Sequence, residues 1–472
     1  MDNATVQKPR IIVCTDIARG FEIDDIESMI RLLLYANEFT IEALVATTSC
    51  WYKDQGGDSN KDIILELIDA YEQVKPNLDI HASGFPDAEK LRSVTFAGIP
   101  KFGVEEGDGW GEEWMDEIES ISHVIDVIEK PDPRPVWILL WGGANVLAHV
   151  VWKVYRTKSP KEFENFLSKI RVYGISDQDS GGIWLREKFG DRLFYIVSPS
   201  PGDETGGGYY KHSAWPGISG DEFMHGSPDG YEGDGFKGAQ SEMVSNAWLR
   251  EHIISKGVLG AKYPEYPWLM EGDTPTFLYL IPNGLGQAEH PEYGSWGGRY
   301  EFYIPDKEYT GTDEKHPLWT NASDRVKGVD GKTYCSPQAS IWRWREAYQN
   351  DFVARMDWSV AKSYDQANHP PVVRLDHPDC ISAAANEYVH LSAEGSTDPD
   401  GDELSYNWMY YKEAGTFNGE FTIDHENSMK AGFVAPNVEN DCTIHIVLTV
   451  KDKGIPPLCR YQRVVVSVRA AE

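Results

Sequence analysis

The sequence predicts an α/β protein, in which a large Rossmann-like domain precedes a smaller β-sandwich. Strand and helix patterns alternate from residue 10 to about residue 285, which is typical of a parallel sheet with helical crossovers. A polar, Pro-containing stretch at residues 365–373 then interrupts the helical pattern. The short alternating strands beyond it favour an immunoglobulin-like sandwich with Trp408 in its core. We therefore predict domains over residues 1–365 and 371–472.

The chain is long and strongly acidic, with 472 residues and a formal net charge of −31. This charge argues against a nucleic-acid backbone or an anionic membrane as partner, since both would be repelled. Neutral or cationic ligands are favoured instead. No run of about 18 apolar residues occurs, so we expect no membrane insertion. The composition leaves the oligomeric state open.

The cysteines and the first residues bear on the cellular compartment. Cys14 and Cys50 fall in or beside predicted core strands, and the other four lie in the C-terminal third. Those four permit one or two disulfides, and free buried thiols are an equal alternative. Residues 1–10 lack the apolar segment of a signal peptide, but a chain starting after a removed leader would look the same. We expect a secreted or periplasmic protein.

An acidic loop in the first strand–loop–helix unit is the main candidate for a functional site. Asp16, Glu22, Asp24 and Asp25 follow a predicted strand at residues 11–13 and lead into a helical pattern. Ligand sites of open α/β sheets lie at such strand ends. Crowded carboxylates are easiest to accommodate around a cation, and one left partly free would be a general base. Helix capping explains one of Asp24 and Asp25 equally well, but not Asp16 and Glu22.

The later elements follow in order along the chain. Apolar and β-branched runs between turn signals predict strands, and apolar residues at helical spacing predict helices. We predict strands over residues 41–49, 135–141, 171–176 and 192–198, and helices over 61–74, around 120–130, over 142–155 and over 337–364.

Two long segments, residues 199–240 and 283–303, have little periodicity and many Gly and aromatic residues. A loop of this length in a compact enzyme is usually a lid or a binding wall. The aromatic content argues against a flexible linker. We expect the first segment to form an ordered wall that contains Tyr209, Tyr210, Trp215, Phe223, Tyr231 and Phe236.

Acidic residues follow other predicted strands. Asp177 and Asp179 lie at the end of the strand over residues 171–176, so they should share a rim with Asp24. Either residue could instead cap the helix that follows. In the C-terminal part, the acidic turn STDPDGDELSY at residues 396–406 fits either calcium binding or a plain hydrogen-bonded turn.

Three tryptophans are candidates for sugar contacts. Aromatic faces suit stacking on the C–H faces of sugar rings, and neutral sugars suit an acidic protein. Core packing is the commoner fate of any single tryptophan. Trp51 follows the second strand, and Trp184 and Trp296 lie near strand ends or wall loops.

Several segments resemble a known family. They are TDI…FEIDDIESMIRLLLYANEF, ATTSCW, ISDQDSGGIWLR, EGDTPTFLYLIPNGL, HPEYGSWGGRYE and SIWRWREAYQNDF, in order over nearly the whole chain. They look like the nucleoside-hydrolase-like family that includes a cellulose-binding protein and carries an Ig-like C-terminal domain. The resemblance implies a nucleoside-hydrolase-type fold for the large domain.

A more distant similarity connects the acidic loop to true nucleoside hydrolases, whose DxDxGxDD signature holds Ca²⁺. This similarity implies that Asp16 and Asp25 are metal ligands, with Asp24 beside them, and that the late acidic ligand is Asp273. A backbone carbonyl ligand of that family would be Ala144.

Several positions depart from that signature. Cys14 stands in place of its first aspartate, and the loop before the Asp pair is longer. Gly272 replaces the histidine that adjoins the late aspartate in nucleoside hydrolases. Asn145 and Gln178, beside the implied site, are expected to contact the substrate.

The resemblance implies metal-assisted glycosidic cleavage. Ca²⁺ would hold a water and sugar hydroxyls, and Asp24 would take the proton of the water, which inverts the anomeric carbon. The acid would be Glu22, Asp177 or Asp179. The long aromatic segments suit a longer ligand than a nucleoside, so we expect a glycoside hydrolase acting on plant or microbial polysaccharide. The alternatives are a non-catalytic polysaccharide-binding protein and, third, a nucleoside hydrolase.

Overall fold

The structure is a computed structural model that describes residues 7–53, 58–103, 113–220, 238–267 and 269–470. Of the predicted wall residues, Phe223, Tyr231 and Phe236 lie outside the described residues. In the described ranges, no helix is both long and apolar enough to cross a bilayer. All six cysteines fall inside these ranges, and all are free thiols.

An eight-stranded sheet forms the centre of the large domain. Its strands are β1 (Arg10–Thr15), β2 (Thr40–Ala46), β3 (Thr95–Ala97), β4 (Val136–Leu140), β5 (Ile170–Ser176), β6 (Phe194–Ser198), β7 (Tyr300–Tyr303) and β8 (Leu318–Asn321). The order is β3-β2-β1-β4-β5-β6-β8-β7, and β7 runs antiparallel to β8 while the other pairs are parallel. The chain leaves β1 for β2 on one side, and β4 flanks β1 on the other. The carboxyl ends of β1 and β4 therefore border the crevice where such sheets bind ligands.

Helices cover both faces of this sheet. They are α1 (Ile23–Leu34), α2 (Asp58–His81), α3 (Ala88–Ser93), α4 (Glu119–Glu129), α5 (Asn145–Thr157), α6 (Pro160–Ser168), α7 (Ser180–Phe189), α8 (Asn246–Leu249), α9 (Gly257–Gly260), α10 (Pro275–Leu278), α11 (Lys307–Thr310), α12 (Ala339–Trp342) and α13 (Arg345–Trp358). Apolar residues of α4 to α7 pack on one face, and those of α1, α2 and α13 pack on the other. The buried β-strands read as continuous apolar runs because both faces are covered. The predicted α/β fold class is confirmed.

Helix α2 is longer than the sequence pattern predicts. The expected helix ends at residue 74, whereas α2 continues through Pro76 to His81. Leu78 is fully buried and His81 is 7% exposed, so tertiary packing holds the last turns despite the proline. The end of this helix consequently reaches the junction with the C-terminal domain.

The C-terminal domain contains two packed sheets. After the hairpin β9 (Asp324–Lys327) and β10 (Thr333–Ser336), its strands are β11 (Cys380–Ala384), β12 (Tyr388–Ser392), β13 (Ser405–Tyr410), β14 (Lys430–Val434), β15 (Cys442–Lys451) and β16 (Cys459–Arg469). One sheet has the order β11-β16-β15-β13 and the other pairs β12 with β14. Trp408 lies buried between them with a largely aliphatic core. The Ig-like sandwich is confirmed, while the limits at residues 365 and 371 stay predictions.

A buried ion pair connects the two domains. Asp351 of α13 accepts hydrogen bonds from Tyr35 Oη at 2.7 Å, Arg355 Nε at 3.1 Å and Arg460 Nη1 of β16 at 2.7 Å. Burial alone would raise the pKa of Asp351, but the charges of Arg460 and Arg355 outweigh it and lower the pKa to about 2. The ionised carboxylate is therefore the form that holds the junction.

The Asp351 ion pair should make the stability of the protein depend on pH. A lowered folded pKa stabilises the protein above the unfolded value near 4, and this stability disappears as the pH falls through 2. Between pH 5 and pH 2 the wild type should lose about 2 kcal/mol of unfolding free energy that Asp351→Asn does not lose. Asp351→Asn should already be about 3 kcal/mol less stable at pH 7, because Arg460 loses its buried partner. Urea titrations across this pH range measure both effects.

The exposed Asp376→Asn serves as the control, because it should follow the wild type throughout. If the unfolding free energy of wild type and of Asp351→Asn changed with pH in the same way, ionised Asp351 would not be the group that stabilises the junction.

Candidate functional site

Five carboxylates converge at the predicted rim. Asp16 follows β1, the side chains of Glu22, Asp24 and Asp25 come from the start of α1, and Asp273 comes from the loop before α10. Among the described residues, Asp16, Glu22 and Asp25 offer oxygens that lie within 4.8 Å of one another. Asp24, Asp25 and Asp273 do the same, so Asp25 joins the two groups. We call these five residues the acidic cluster.

The acidic cluster concentrates like charge in a buried place. Asp16, Asp25 and Asp273 are each 1% exposed, and Glu22 is half-buried. Two like charges about 4 Å apart repel by about 4 kcal/mol at an effective dielectric constant of 20. Burial raises the pKa of Asp16 to about 7, a rise that the nearby Ser49 hydroxyl opposes and the Asp24 charge increases.

The pKa values of three other carboxylates in the acidic cluster are also raised. Burial first, and the neighbouring carboxylates second, raise the pKa values of Glu22, Asp25 and Asp273 well above their ordinary values. The Thr15 hydroxyl donates a hydrogen bond to Asp25 and opposes this rise. Without a counter-charge, the ionised form of the cluster is therefore strongly disfavoured.

Unpartnered oxygens show that the cluster fits a cation. Both carboxylate oxygens of Asp16 and the Oδ2 of Asp273 are buried and accept no hydrogen bond of normal geometry. Buried polar atoms without a partner are costly and rare. Carboxylate oxygens are the ligands that Ca²⁺ prefers. The residues present therefore suit a hard divalent cation.

A buried polar network holds the loop that carries Asp273. Glu271 has a positive φ of 53°, which is unusual for a residue with a side chain. Its N–H donates to Glu27 Oε2 at 2.9 Å, and its carboxylate accepts from Arg31 Nη1 at 2.7 Å and Tyr263 Oη at 2.7 Å. Helix α1 thus contributes Asp24 and Asp25 and also fixes the loop opposite.

Sequence reasoning did not identify Glu27, Arg31 or Glu271. Charged residues in an amphipathic helix ordinarily face water, so the pattern gives no signal for their burial. The loop that carries Glu271, together with α13, covers the side of α1 on which Glu27 and Arg31 lie. Arg31 therefore also donates a hydrogen bond to the Tyr348 carbonyl of α13.

Two glycines permit the close packing of the cluster. A Cβ on Gly142, just after β4, would lie 2.6 Å from Asp16 Oδ1 and 2.8 Å from Asp16 Cβ. A Cβ on Gly272 would lie 2.7 Å from Asp24 Oδ2 and 3.4 Å from Trp215 Cζ3. A histidine at residue 272 would therefore require the Asp24 carboxylate to move.

Gly142→Ala tests the acidic cluster as a candidate Ca²⁺ site. The added methyl group must displace Asp16, because the carboxylate lies 2.6 Å from the new carbon. We expect at least a roughly tenfold loss of Ca²⁺ affinity, and about 1–3 kcal/mol of lost stability from overpacking. Isothermal titration calorimetry and thermal unfolding measure the two effects.

Gly208→Ala provides the matched control, since its Cβ would meet nothing within 4 Å. Equal Ca²⁺ affinity for Gly142→Ala and wild type would contradict the role assigned to Asp16.

The later acidic candidates make structural contacts. Asp179 accepts hydrogen bonds from the N–H groups of Ala144 and Asn145, both at 3.0 Å, and of Gly181 at 2.7 Å. Burial raises the pKa of Asp179 to about 6, although these three hydrogen bonds oppose the rise. Asp179 therefore caps α7 and also fixes the start of α5.

Asp177 forms a two-pronged ion pair with Arg186, at 2.8 Å and 2.7 Å, and accepts a bond from the Ser200 N–H. Burial raises the pKa of Asp177, although the Arg186 charge opposes the rise. Both carboxylates are therefore engaged in hydrogen bonds or ion pairs that hold the neighbouring loops and helices.

Other predicted residues lie at the same end of the sheet. The Ala144 carbonyl accepts the first hydrogen bond of α5 from Ala148 N–H at 2.9 Å. Asn145 Nδ2 donates to Thr48 Oγ1 at 3.1 Å, and Gln178 Nε2 donates to the Trp141 carbonyl at 2.6 Å. The amide oxygens of Asn145 and Gln178 are buried without a partner, so each retains an unmet acceptor.

Aromatic residues of the predicted wall lie next to the acidic cluster. Tyr210 and Trp215 belong to 3₁₀ helices at Glu204–His212 and Trp215–Ile218, and their rings pack edge to face at 5.0 Å. Trp51 Nε1 donates to Tyr210 Oη at 3.3 Å. Since a Cβ on residue 272 would contact both Trp215 and Asp24, this aromatic group borders the acidic cluster.

The other two tryptophans are placed differently. Trp296 is fully buried, and its Nε1 donates to Tyr461 Oη of the C-terminal domain at 3.1 Å. Its ring has no face open to a ligand, which corrects the expectation of a sugar contact. Trp184 is half-buried on α7 and packs edge to face on Phe189 at 5.7 Å.

Fold and site together define a nucleoside-hydrolase-like α/β protein with an Ig-like C-terminal domain. Residues 10–300 match the family described as cellulose-binding Sde182, nucleoside hydrolase-like domain. Residues 388–468 match the C-terminal domain of cellulose-binding protein Sde0182. The chain belongs to this family, which confirms the resemblance seen in the sequence.

A solved structure is similar over the whole chain. It is described as a nucleoside hydrolase-related hypothetical protein from Saccharophagus degradans that is associated with carbohydrate metabolism. It shares 32% identity, covers 98% of this chain and 100% of its own, and has a TM-score of 0.77. The PKD domain from the KIAA 1837 protein aligns with 21% of this chain and 87% of its own at 22% identity, but with a TM-score of only 0.16. No curated protein matches this chain.

Proposed function

We propose that this protein is a calcium-dependent glycoside hydrolase that acts outside the cytoplasm on plant or microbial polysaccharide or its oligosaccharides. One observation carries the proposal: a buried acidic cluster with unpartnered oxygens borders an aromatic wall at the ligand-binding end of the sheet. The carbohydrate association of the similar Saccharophagus protein supports the substrate class.

The residues of the acidic cluster divide into two roles in this proposal. Asp16, Asp25 and Asp273 would hold Ca²⁺, with the Ala144 carbonyl as a further candidate. When bound, the ion would neutralise the cluster and orient a water and sugar hydroxyls. Asp24, next to Trp215, accepts the proton of the water that attacks the anomeric carbon. Direct attack by water inverts that carbon.

Glu22 is the proton donor to the leaving group in this proposal. It is the half-buried member of the cluster, so it can face a substrate while Asp16 and Asp25 cannot. Asp177 is held by Arg186, and Asp179 by three backbone N–H groups. Neither is as available for proton transfer as Glu22.

The ligand side of the site suits neutral sugars. Trp51 is partly exposed and offers aromatic surface for stacking on a sugar, backed by the buried rings of Tyr210 and Trp215. The net charge of −31 would repel an anionic substrate.

A panel of neutral oligosaccharides tests the proposal. We expect release of reducing sugar, its loss on adding EGTA and its return with excess Ca²⁺. Proton NMR of the first product should show the inverted anomer. Absence of released sugar from every substrate would end the hydrolase proposal. Inosine and uridine belong in the same panel, and release of free base would favour nucleoside hydrolysis instead.

The second candidate is a non-catalytic polysaccharide-binding protein. Exposed rings on the far edge of the sheet favour it: Phe302 and Tyr309 are each 54% exposed, and Tyr303 and Tyr309 line a cavity of about 460 Å³. The family description as cellulose-binding also supports it. Co-sedimentation with cellulose, without released sugar from the panel, would favour this candidate over the first.

A further inference from the structure

The cavity at the far edge of the sheet is a space separate from the acidic cluster. Residues from β7, α11 and the end of β8 contribute to its lining. The strands β4, β5 and β6 lie between β8 and β1, the strand that leads into the acidic cluster. Its volume of about 460 Å³ lies within the range of roughly 300–1,000 Å³ that is usual for ligand pockets. The cavity is therefore large enough to be a binding site of its own.

Two tyrosine rings of this cavity are exposed and held in place. Tyr309 is 54% exposed, and its ring meets that of His212 edge to face at 5.0 Å. Tyr303 is 40% exposed, and its hydroxyl donates to the Asn321 carbonyl at 2.9 Å. A ring that is already fixed loses little freedom when a ligand stacks on it. Both rings therefore suit stacking.

The short helix α11 fixes the position of Tyr309. It begins after Asp306, whose Oδ1 accepts from the Glu308 N–H at 2.9 Å, and it ends at Gly311 with a φ of 74°. Glycine adopts this left-handed conformation without strain. A Cβ on Gly311 would lie 2.7 Å from the Tyr209 ring, so Tyr209 packs against the end of α11. The aromatic wall thus supports the helix that carries Tyr309.

Polar groups without a partner line the same cavity. Asn321 Oδ1 accepts from Ser198 Oγ at 2.6 Å and from the Ala214 N–H at 3.0 Å, which assigns the other amide atom as Nδ2. Within the described ranges, Asn321 Nδ2, Asp306 Oδ2 and the hydroxyl of the exposed Ser323 have no hydrogen bond. A donor, an acceptor and a hydroxyl beside two ring faces match the hydroxyls and C–H faces of a sugar.

The charge of the cavity favours a neutral ligand. No Lys or Arg is among the described residues that line it. Burial lowers the pKa of His212, and the charge of Lys211 lowers it further, so His212 is neutral at pH 7. A phosphate or sulfate group would meet the Asp306 carboxylate without a counter-charge.

We propose that this cavity is a second carbohydrate-binding site, which holds part of a neutral polysaccharide by stacking on Tyr309 and Tyr303. The proposal rests on the carbohydrate function proposed above and adds to it a site that takes no part in the chemistry. Phe302 does not belong to the site, because neighbouring residues of a strand face opposite sides of the sheet and its ring lies 5.2 Å from that of Trp319.

One 3₁₀ helix, at Glu204–His212, borders both sites. Its Tyr210 packs on Trp215 beside the acidic cluster, and its His212 packs on Tyr309 in the second site. A polysaccharide bound at the second site is therefore retained next to the wall of the first, which raises its effective concentration there.

NMR spectroscopy of Ile304 tests the second site directly. Ile304 lines the cavity and is 54% exposed. The full chain is labelled at the isoleucine δ1 methyl groups, and Ile304→Val identifies the signal. Titration with cellohexaose and, separately, with xylohexaose is carried out in EGTA, which suppresses the proposed hydrolysis. We expect at least one of these sugars to shift the Ile304 signal, while Ile455, which is 90% exposed in the C-terminal domain, does not shift.

Tyr309→Ala should raise the dissociation constant of the sugar by about tenfold or more, because loss of a central aromatic contact commonly has an effect of this size. Tyr309→Phe keeps the ring and should retain the binding. Tyr155→Ala is the matched control, because Tyr155 is 56% exposed on α5 and does not line the cavity. It should bind the sugar as the wild type does.

Three results would overturn the proposal. They are an unshifted Ile304 signal with both sugars at millimolar concentration, equal affinity of Tyr309→Ala and wild type, and a dimer that Tyr309→Ala dissociates. The last result would assign the surface to a second copy of the chain. The hydrolase proposal fails separately: a shift of Ile304 without released sugar from the panel retains the second site and ends the hydrolase proposal, and released sugar without a shift does the opposite.

Discussion

Asp24→Asn is expected to lower the turnover number for oligosaccharide hydrolysis by about 10³-fold, within the range of about 10²–10⁴ that general bases contribute. Asparagine has nearly the same shape but cannot accept the proton of the attacking water. KM for the oligosaccharide should change little, because Trp51 and the rest of the aromatic wall are unaltered. Steady-state kinetics with the best substrate of the panel measure both constants.

Asp62→Asn, an exposed carboxylate on α2, is the matched control and should retain wild-type kinetics. If Asp24→Asn hydrolyses at the wild-type rate, Asp24 is not the base. Retained binding of cellulose by Asp24→Asn would be compatible with either proposed function, so only the kinetic comparison decides the role of this residue.

Asp16→Asn is expected to lower the Ca²⁺ affinity of the acidic cluster by about 100-fold or more, because loss of a ligand should exceed the roughly 10–100-fold effect of indirect contacts. In EGTA the same variant should unfold at the wild-type temperature or above it. Asp16 is 1% exposed and lies among other carboxylates, so the amide removes a buried charge that its neighbours repel, at the cost of a weakened contact with the Ser49 hydroxyl. Calorimetry and thermal unfolding with and without Ca²⁺ measure the two effects.

The opposite signs of these effects separate a metal ligand from a structural residue. A carboxylate that only stabilised the fold would destabilise the protein in EGTA when replaced. Unchanged Ca²⁺ affinity in Asp16→Asn would contradict the proposed ion site.

Much of the acidic cluster follows from local sequence. A buried apolar strand, a polar loop and an amphipathic helix in succession place Asp16, Asp24 and Asp25 together at a strand end. Asp273 is 248 residues beyond Asp25, so only the family resemblance indicated it. The structure places its oxygen within 4.8 Å of those of Asp24 and Asp25.

Trp296 shows what local sequence leaves open. A tryptophan among glycines is compatible with a binding surface or with a core. Trp296 is part of the core because Tyr461 of the C-terminal domain packs against its ring. Asp177 is similar, since its spacing fits a proton donor but Arg186, in the second turn of α7, binds it.

The sequence by itself determined the α/β class, the sandwich and the acidic loop, because periodicity and composition reflect which faces are buried nearby. Tertiary structure alone decided the charge pairs that join distant segments. Arg31 is paired with Glu271, and Asp351 is paired with Arg460 as well as with its own helix, so both pairs join segments that are far apart in the chain. Such pairing arises from three-dimensional packing, and no local pattern of residues encodes it.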